Sequence, residues 1–333
     1  MKKTILRNVI TGVALVLGTG VQAQDFHLTQ YETSAIYFNP ASTGMEIPMD
    51  MEYRISSNFR SQWGRIASRA YTTAVISYDV KFKNTWGIGG YISNNMVGQN
   101  NFRTLNAMLS GAYNVMHESD DHVLTVGLQL GLMNKAFNSS SYIYDSQYDY
   151  SSGMFDTGIS SGEMLTKESI FRLDGGIGLY YAYQESQDKF RPYAGFSIWH
   201  ITMPNESFTG QKARLPMRFS FNGGCDITID DQWKVTPTFL FAYQAKANEL
   251  NMGAMGNYQF SDEDYAAQFG LNYRLKDAFI VQGGMRYKTF FFRMSYDINL
   301  SYLTPYTRGQ GGFELSLIYL GEFKSEMAKK FFH

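Results

Sequence analysis

The chain has 333 residues, of which only 18% are charged and 16% are aromatic, with 31 Gly, 7 Pro, a single Cys and a formal net charge of -1. The near-neutral balance without a basic block excludes a nucleic-acid-binding chain, and the lone Cys225 excludes a disulfide framework or a zinc ribbon. A mean hydropathy of -0.27 and the lack of an apolar run of ~20 residues exclude a helical membrane protein.

Residues 1–23 read as a secretory signal peptide. Lys2, Lys3 and Arg7 form the positive start, Val9 to Val21 the apolar stretch, and Val21-Gln22-Ala23 the small-residue cleavage site. Loss of those three cations takes the mature net charge to -4. Residues 24–49 follow without a strand pattern. Asn39-Pro40 and Gly44 punctuate them into turns, and they are expected to pack as a plug-like segment in the periplasmic mouth or lumen.

From residue 50 the chain alternates with period two. Leu124, Val126, Leu128, Leu130 and Leu132 alternate with Thr125, Gly127, Gln129 and Gly131, and Phe292, Met294, Tyr296, Ile298 and Leu300 with Arg293, Ser295, Asp297 and Asn299. Each such run is a strand with one apolar face and one polar or glycine face. Fourteen strands are predicted, over 50–63, 68–80, 85–97, 102–116, 122–137, 168–184, 190–202, 213–229, 233–245, 248–260, 264–276, 277–288, 290–301 and 311–323. At 12 to 17 residues they are longer than the ~5–6 usual in globular sheets. Even-numbered connections are short and charged, whereas 138–167, 202–212 and 301–311 are long. That asymmetry is the rule for outer-membrane barrels, with short turns in the periplasm. The expected fold is all-β: a transmembrane outer-membrane β-barrel of about 14 antiparallel strands over 50–323, followed by a periplasmic tail over 324–333. Aromatics near strand ends, such as Tyr180, Tyr181, Tyr183, Tyr319 and Phe323, read as membrane-interface girdles.

Catalytic chemistry finds no foothold. The sequence has no HExxH, GxSxG or phosphate loop, and Gly87-Ile88-Gly89-Gly90 lies inside a strand with no helix after it. The His117-to-His122 stretch has ligand-type residues and reads as a solvated turn. No catalytic residue, cofactor or metal is expected. Three candidate sites remain. Arg286, Arg293, Asp297 and Glu314 fall on the polar face of the last three strands and are expected to form a lumen charge network, because isolated charges in a wall are costly unless paired. Tyr142, Tyr144, Tyr148 and Tyr150 lie in a Tyr- and Ser-rich loop of the kind that makes adaptable partner contacts. Asn39 and Pro40 form the candidate plug motif. Glycines at Gly87, Gly127 and Gly178, among others, leave lumen space for a plug, a passenger segment or water.

Several blocks, in order, carry a resemblance over the whole mature chain. They are Gln24-Asp25-Phe26-His27-Leu28-Thr29-Gln30-Tyr31, Tyr37-Phe38-Asn39-Pro40-Ala41-Ser42-Thr43-Gly44, Arg60-Ser61-Gln62-Trp63, Ser77-Tyr78-Asp79, His200 with Pro204, and Met294-Ser295-Tyr296-Asp297 with Glu314-Leu315-Ser316-Leu317. Together they resemble the PorP/SprF family of outer-membrane proteins of the type IX secretion system in Bacteroidota. The chain departs from that pattern at Phe26, where the family usually has Pro, and in Lys324–His333 beyond the last strand. The resemblance implies a non-enzymatic role in export and surface display. It also implies partners: outer-membrane lipids and a secreted surface adhesin with a type IX C-terminal signal domain, or the periplasmic ring and peptidoglycan-binding components of the machine. Gliding motility is the implied setting. A second reading is a channel for small hydrophobic substrates, similar to the long-chain fatty-acid transporters, which share an Asn-Pro-Ala segment within a plugged barrel. A lumen-site hydrolase is the weakest reading, because no Ser–His pair shares a facing.

Overall fold

In the computed structural model, residues 25–323 are described, apart from 49, 65–66, 68, 84, 99–101, 120, 139–142, 163–167 and 186. The signal-peptide reading, Tyr142 and the 324–333 tail lie outside the described residues. The chain forms β1 (Tyr53–Gln62), β2 (Tyr71–Phe82), β3 (Trp86–Val97), β4 (Phe102–Asn114), β5 (His122–Ala136), β6 (Tyr148–Asp149), β7 (Met154–Phe155), β8 (Ser169–Tyr183), β9 (Phe190–Trp199), β10 (Arg218–Thr228), β11 (Trp233–Gln244), β12 (Ala247–Gln259), β13 (Tyr265–Arg274), β14 (Ala278–Tyr287), β15 (Phe290–Asn299) and β16 (Gln310–Gly321). All but β6 and β7 join one closed antiparallel barrel of fourteen strands, each beside its sequence neighbour. Closure comes from β1 against β16, in register from Tyr53↔Gly321 to Gln62↔Gly312. A closed barrel leaves no backbone edge, which is what a sheet in hydrocarbon requires.

Burial is inverted relative to a soluble protein. Leu109, at 76% exposure, and Ile76, Ile88, Leu128, Phe171 and Phe269 point outward, whereas Arg54, Ser56, Asn58 and Arg60 of β1 point inward and are buried. The alternation seen in the sequence therefore maps apolar to lipid and polar to lumen. Aromatic pairs stud one rim: Trp86–Tyr113, Trp233–Tyr258, Tyr265–Tyr287 and Phe290–Tyr319, with ring centroids 4.6 to 4.9 Å apart. This is the rim of the short turns, and hence the periplasmic one. Tyr180 is not part of that girdle: it points inward and is buried, beside Ala41 and Val123.

Two strands are shorter than their sequence pattern suggests. β9 stops at Trp199 because His200 takes the left-handed conformation, at φ 57°. β10 begins at Arg218 rather than 213. Pro216 has no N–H for the ladder, and the residues before it bond within their own loop, with Leu215 N donating to Pro204 O at 2.9 Å and Arg214 bridging Asn205.

Candidate functional site

Residues 25–48 lie inside the barrel and form three short helical turns, Tyr31–Ser34, Ala35–Phe38 and Pro40–Ser42. Leu28, Thr29, Gln30, Ile36, Ala41 and Thr43 are all essentially inaccessible. The Asn39-Pro40 pair explains the last turn. Pro40 occupies its first position, where no N–H is needed, and the Asn39 side chain caps it by accepting from Ala41 N at 2.9 Å. Asn39 Nδ2 then donates to Leu179 O of β8 at 2.8 Å, so the same side chain that shapes the turn fixes it to the wall.

The wall answers with hydroxyls and glycines. Thr125 Oγ1 donates to Ala41 O at 2.8 Å, and Ser197 Oγ and Trp199 Nε1 both donate to Phe38 O, at 2.7 and 3.1 Å. These bonds satisfy carbonyls that short helical turns leave unpaired. Where the segment approaches closest, the strands carry no side chain. A Cβ at Gly87 would sit 1.7 Å from Thr43 O, one at Gly127 2.2 Å from Ala41 N, and one at Gly178 2.0 Å from Asn39 Oδ1. The lumen-facing glycines of β3, β5 and β8 are the seat of this segment.

A buried charge cluster binds its start to the closing seam. Arg60 Nη2 donates to Asp297 Oδ2 at 2.8 Å, Arg274 Nη2 to the same oxygen at 2.5 Å, and Arg60 Nη1 lies 3.3 Å from Glu314 Oε2. The side chains of all four are at most 4% exposed. Two guanidinium groups against two carboxylates leave no net charge, which makes such burial tolerable. The cluster's remaining acceptors hold the segment: Thr29 N and Gln30 N donate to the two Glu314 carboxylate oxygens at 2.7 and 3.0 Å, and Thr29 Oγ1 to Asp297 at 2.9 Å. A bulge in the β15–β16 register between Tyr296 and Ile298 lies at Asp297. Gly312 opposite it makes room for Arg60, whose Nη2 would lie 2.8 Å from a Cβ there. His27 sits 3.4 Å from Arg60. Burial, then Arg274 and Arg60, holds its ring well below the ordinary histidine range, so it faces the arginine uncharged.

A second cluster lies at the same end of the barrel, on β8 and just past β9. His200 Nε2 is 2.7 Å from Asp25 Oδ2 and Nδ1 is 2.5 Å from Asp174 Oδ2. Burial opposes its charge, but the two carboxylates win and raise it to about 10. Asp25 answers in kind: burial alone would raise it, yet His200 and Arg218 hold it well below the usual carboxylate range.

The four predicted lumen charges do not form one group. Asp297 and Glu314 meet in the cluster above. Arg293 instead reaches Glu32 of the lumen segment at 3.3 Å, and Arg286 bonds the Gln259 side chain and, at 3.0 Å, Glu263 O near the periplasmic rim. The actual cationic partners are Arg60 and Arg274. Both alternate onto the inward faces of β1 and β13, but parity gives the side of the wall and not the height along the axis, and Asp297 and Arg274 stand on strands two apart. Of the tyrosine loop, Tyr148 stacks edge-on with Tyr150 and Phe155, each at 5.1 Å, on the small β6–β7 hairpin. Tyr144 is half-buried and Tyr150 is 90% exposed. The loop also ties to itself, through Ser146 Oγ to Ser161 O and Gln147 Nε2 to Ile159 O, at 2.6 and 3.0 Å.

Known proteins place this architecture. The toluene transporter TbuX of Ralstonia pickettii is similar with a TM-score of 0.54 at 13% identity, covering 87% of this chain and 94% of its own. The monoaromatic hydrocarbon channel CymD is similar at 0.51 and 13% identity, covering 92% and 96%. The toluene transporter TodX of Pseudomonas putida gives 0.50 and 12%, covering 91% and 96%. At such identities the likeness carries the fold alone, that of an outer-membrane barrel. No curated protein matches the chain. A family model described as type IX secretion system membrane protein PorP/SprF matches residues 20–319. With the barrel and that match together, the protein is an outer-membrane component, and the chain belongs to the PorP/SprF family of type IX secretion system membrane proteins.

Proposed function

We propose that this barrel is a non-enzymatic holder in type IX secretion. In this reading it keeps a large adhesin-type passenger at the cell surface through that passenger's C-terminal signal domain, in support of gliding, or joins the periplasmic ring and peptidoglycan-binding components to the membrane. The observation that carries the proposal is the way residues 25–48 occupy the lumen. Side chains of β1, β2, β4, β5, β9, β15 and β16 bond to them, and so does the Leu179 carbonyl of β8. A segment fastened on so many sides acts as a plug that stiffens a platform. Its binding parts are the loop over 138–167 on the outer face and the periplasmic rim.

The second reading is a channel for small hydrophobic substrates, and the fold shared with hydrocarbon transporters favours it. Against it stands the lumen chemistry. A path for apolar solutes wants apolar walls, whereas the inward faces here carry Arg54, Arg60, Asp79, Asn58, Arg274, Asp297 and Glu314. Affinity purification from solubilised outer membranes, with and without residues 138–167, tests the proposal. Recovery of a surface protein with a type IX signal domain, or of a peptidoglycan-binding component, is expected from the intact barrel. Loss of the surface protein on loop deletion would place its contact there. Recovery of neither from either form would refute the holder reading.

A further inference from the structure

On the periplasmic side of residues 25–48 lies a chamber of about 340 Å³. Every charged side chain on its lining is an acid: Glu32, Glu46 and Asp226. Tyr31, Tyr180 and Tyr193 supply aromatic surface, and Pro48 and Gln184 stand at its rim side. Among the described residues the three carboxylates meet cations only from the wall behind. Arg293 is 3.3 Å from Glu32, Arg54 is 3.5 Å from Glu46, and Lys234 is 2.8 Å from Asp226. Arg54 gives its hydrogen bonds to Asp79, at 3.0 and 2.8 Å. One guanidinium thus serves two carboxylates, Asp79 and Glu46. The side chains of Glu32, Glu46 and Asp226 are 26%, 24% and 29% exposed, so they are within reach of a ligand. Burial raises the Glu32 and Glu46 carboxyls despite their arginines. The Tyr31 hydroxyl, by contrast, is buried without a hydrogen bond of ordinary geometry among the described residues. Carboxylates and tyrosine faces around one space make a receptor for an ammonium group, which offers three donors and a charge to the rings.

The chain carries such groups a short way off. The backbone N–H of Phe323 donates to the Glu52 carboxylate, and Glu52 is four residues from Pro48. At ~3.3–3.6 Å per residue, and with the length of the Glu52 side chain added, the chamber mouth lies within roughly 22 Å of Phe323. The next ten residues are Lys324-Ser325-Glu326-Met327-Ala328-Lys329-Lys330-Phe331-Phe332-His333, which pair two adjacent ammonium groups with two aromatic rings. We propose that the chamber binds lysine side chains presented by a peptide, and that its occupant is this chain's own segment 324–333, seated through Lys329 and Lys330. The inference does not depend on which passenger or machine component the barrel serves.

Zero-length carbodiimide coupling of the full-length, detergent-solubilised protein, mapped by mass spectrometry, tests it. The expected products join Lys329 or Lys330 to Glu32, Glu46 or Asp226 within one chain. Lys288 and Asp264, an exposed pair 3.5 Å apart, report that coupling works. A labelled peptide of residues 324–333 should bind the Lys329→Gln/Lys330→Gln double variant, and the wild-type barrel at least tenfold more weakly, because its chamber is already filled. Coupling of the tail lysines only to Asp50 or Glu52 would overturn the proposal. So would coupling found only between two copies, or its absence while Lys288 and Asp264 react.

Discussion

Asp297 illustrates how much rests on single inward-facing groups. It accepts from Arg60, Arg274 and Thr29, so its removal leaves Arg60 with Glu314 alone and Arg274 with the half-exposed Asp277, and takes one hold off the start of the lumen segment. Breaking a buried pair costs about 3–5 kcal/mol. Asp297→Asn should therefore lower the temperature at which the folded barrel converts to the unfolded band on gels. Arg293→Gln, whose partner Glu32 is a quarter exposed, should lower it less. His200 gives a pH signature. Its folded value of about 10 stands above the ordinary 6.5, so its stabilising bond to Asp25 and Asp174 is complete below 6.5 and is lost as the pH rises through about 10. Thermal stability should fall across that window in the wild type. In His200→Gln it should start lower and show a flatter slope, as measured by thermal unfolding at pH 6, 8 and 10.

At the scale of elements, the segment over 25–48 and the glycines of β3, β5 and β8 are one design. Gly127→Leu places a side chain where Ala41 N now lies, 2.2 Å from the built Cβ, and neither backbone can yield. The barrel wall has its own ladder, so the expected outcome is a folded barrel whose segment is expelled. Limited proteolysis should then cut at Tyr31, Tyr37 or Phe38, which are buried in the wild type. A protected segment in Gly127→Leu would contradict the seating. The strands themselves were legible from alternation, because one face meets lipid and the other does not. Lumen-facing glycines were legible as space, and Asn39-Pro40 as a turn. What the sequence could not show was which strand each partner stands on. Arg60 and Glu314 meet only because β1 closes on β16, a contact 254 positions apart, and Asp297 is placed by a bulge with no local signature. The left-handed turn at His200 was hidden for a similar reason: tertiary bonds to Asp25 and Asp174 hold the ring there, and propensity alone would extend the strand.

The whole molecule is an outer-membrane wall with residues 25–48 of its own chain seated in the lumen. A polar lumen in a barrel of fourteen strands would pass water and ions if it were vacant. In the proposed holder reading residues 25–48 close that path, since they exchange water for fixed partners on many sides. The holder reading and the channel reading therefore differ most in what crosses the purified protein. Single-molecule recording in planar bilayers separates them, comparing the full mature chain with a form lacking residues 25–48. No steady conductance is expected from the full chain, and stepwise openings from the shortened one. Steady conductance through the full chain, or vesicle uptake of a small aromatic hydrocarbon that the full chain supports, would contradict the holder reading.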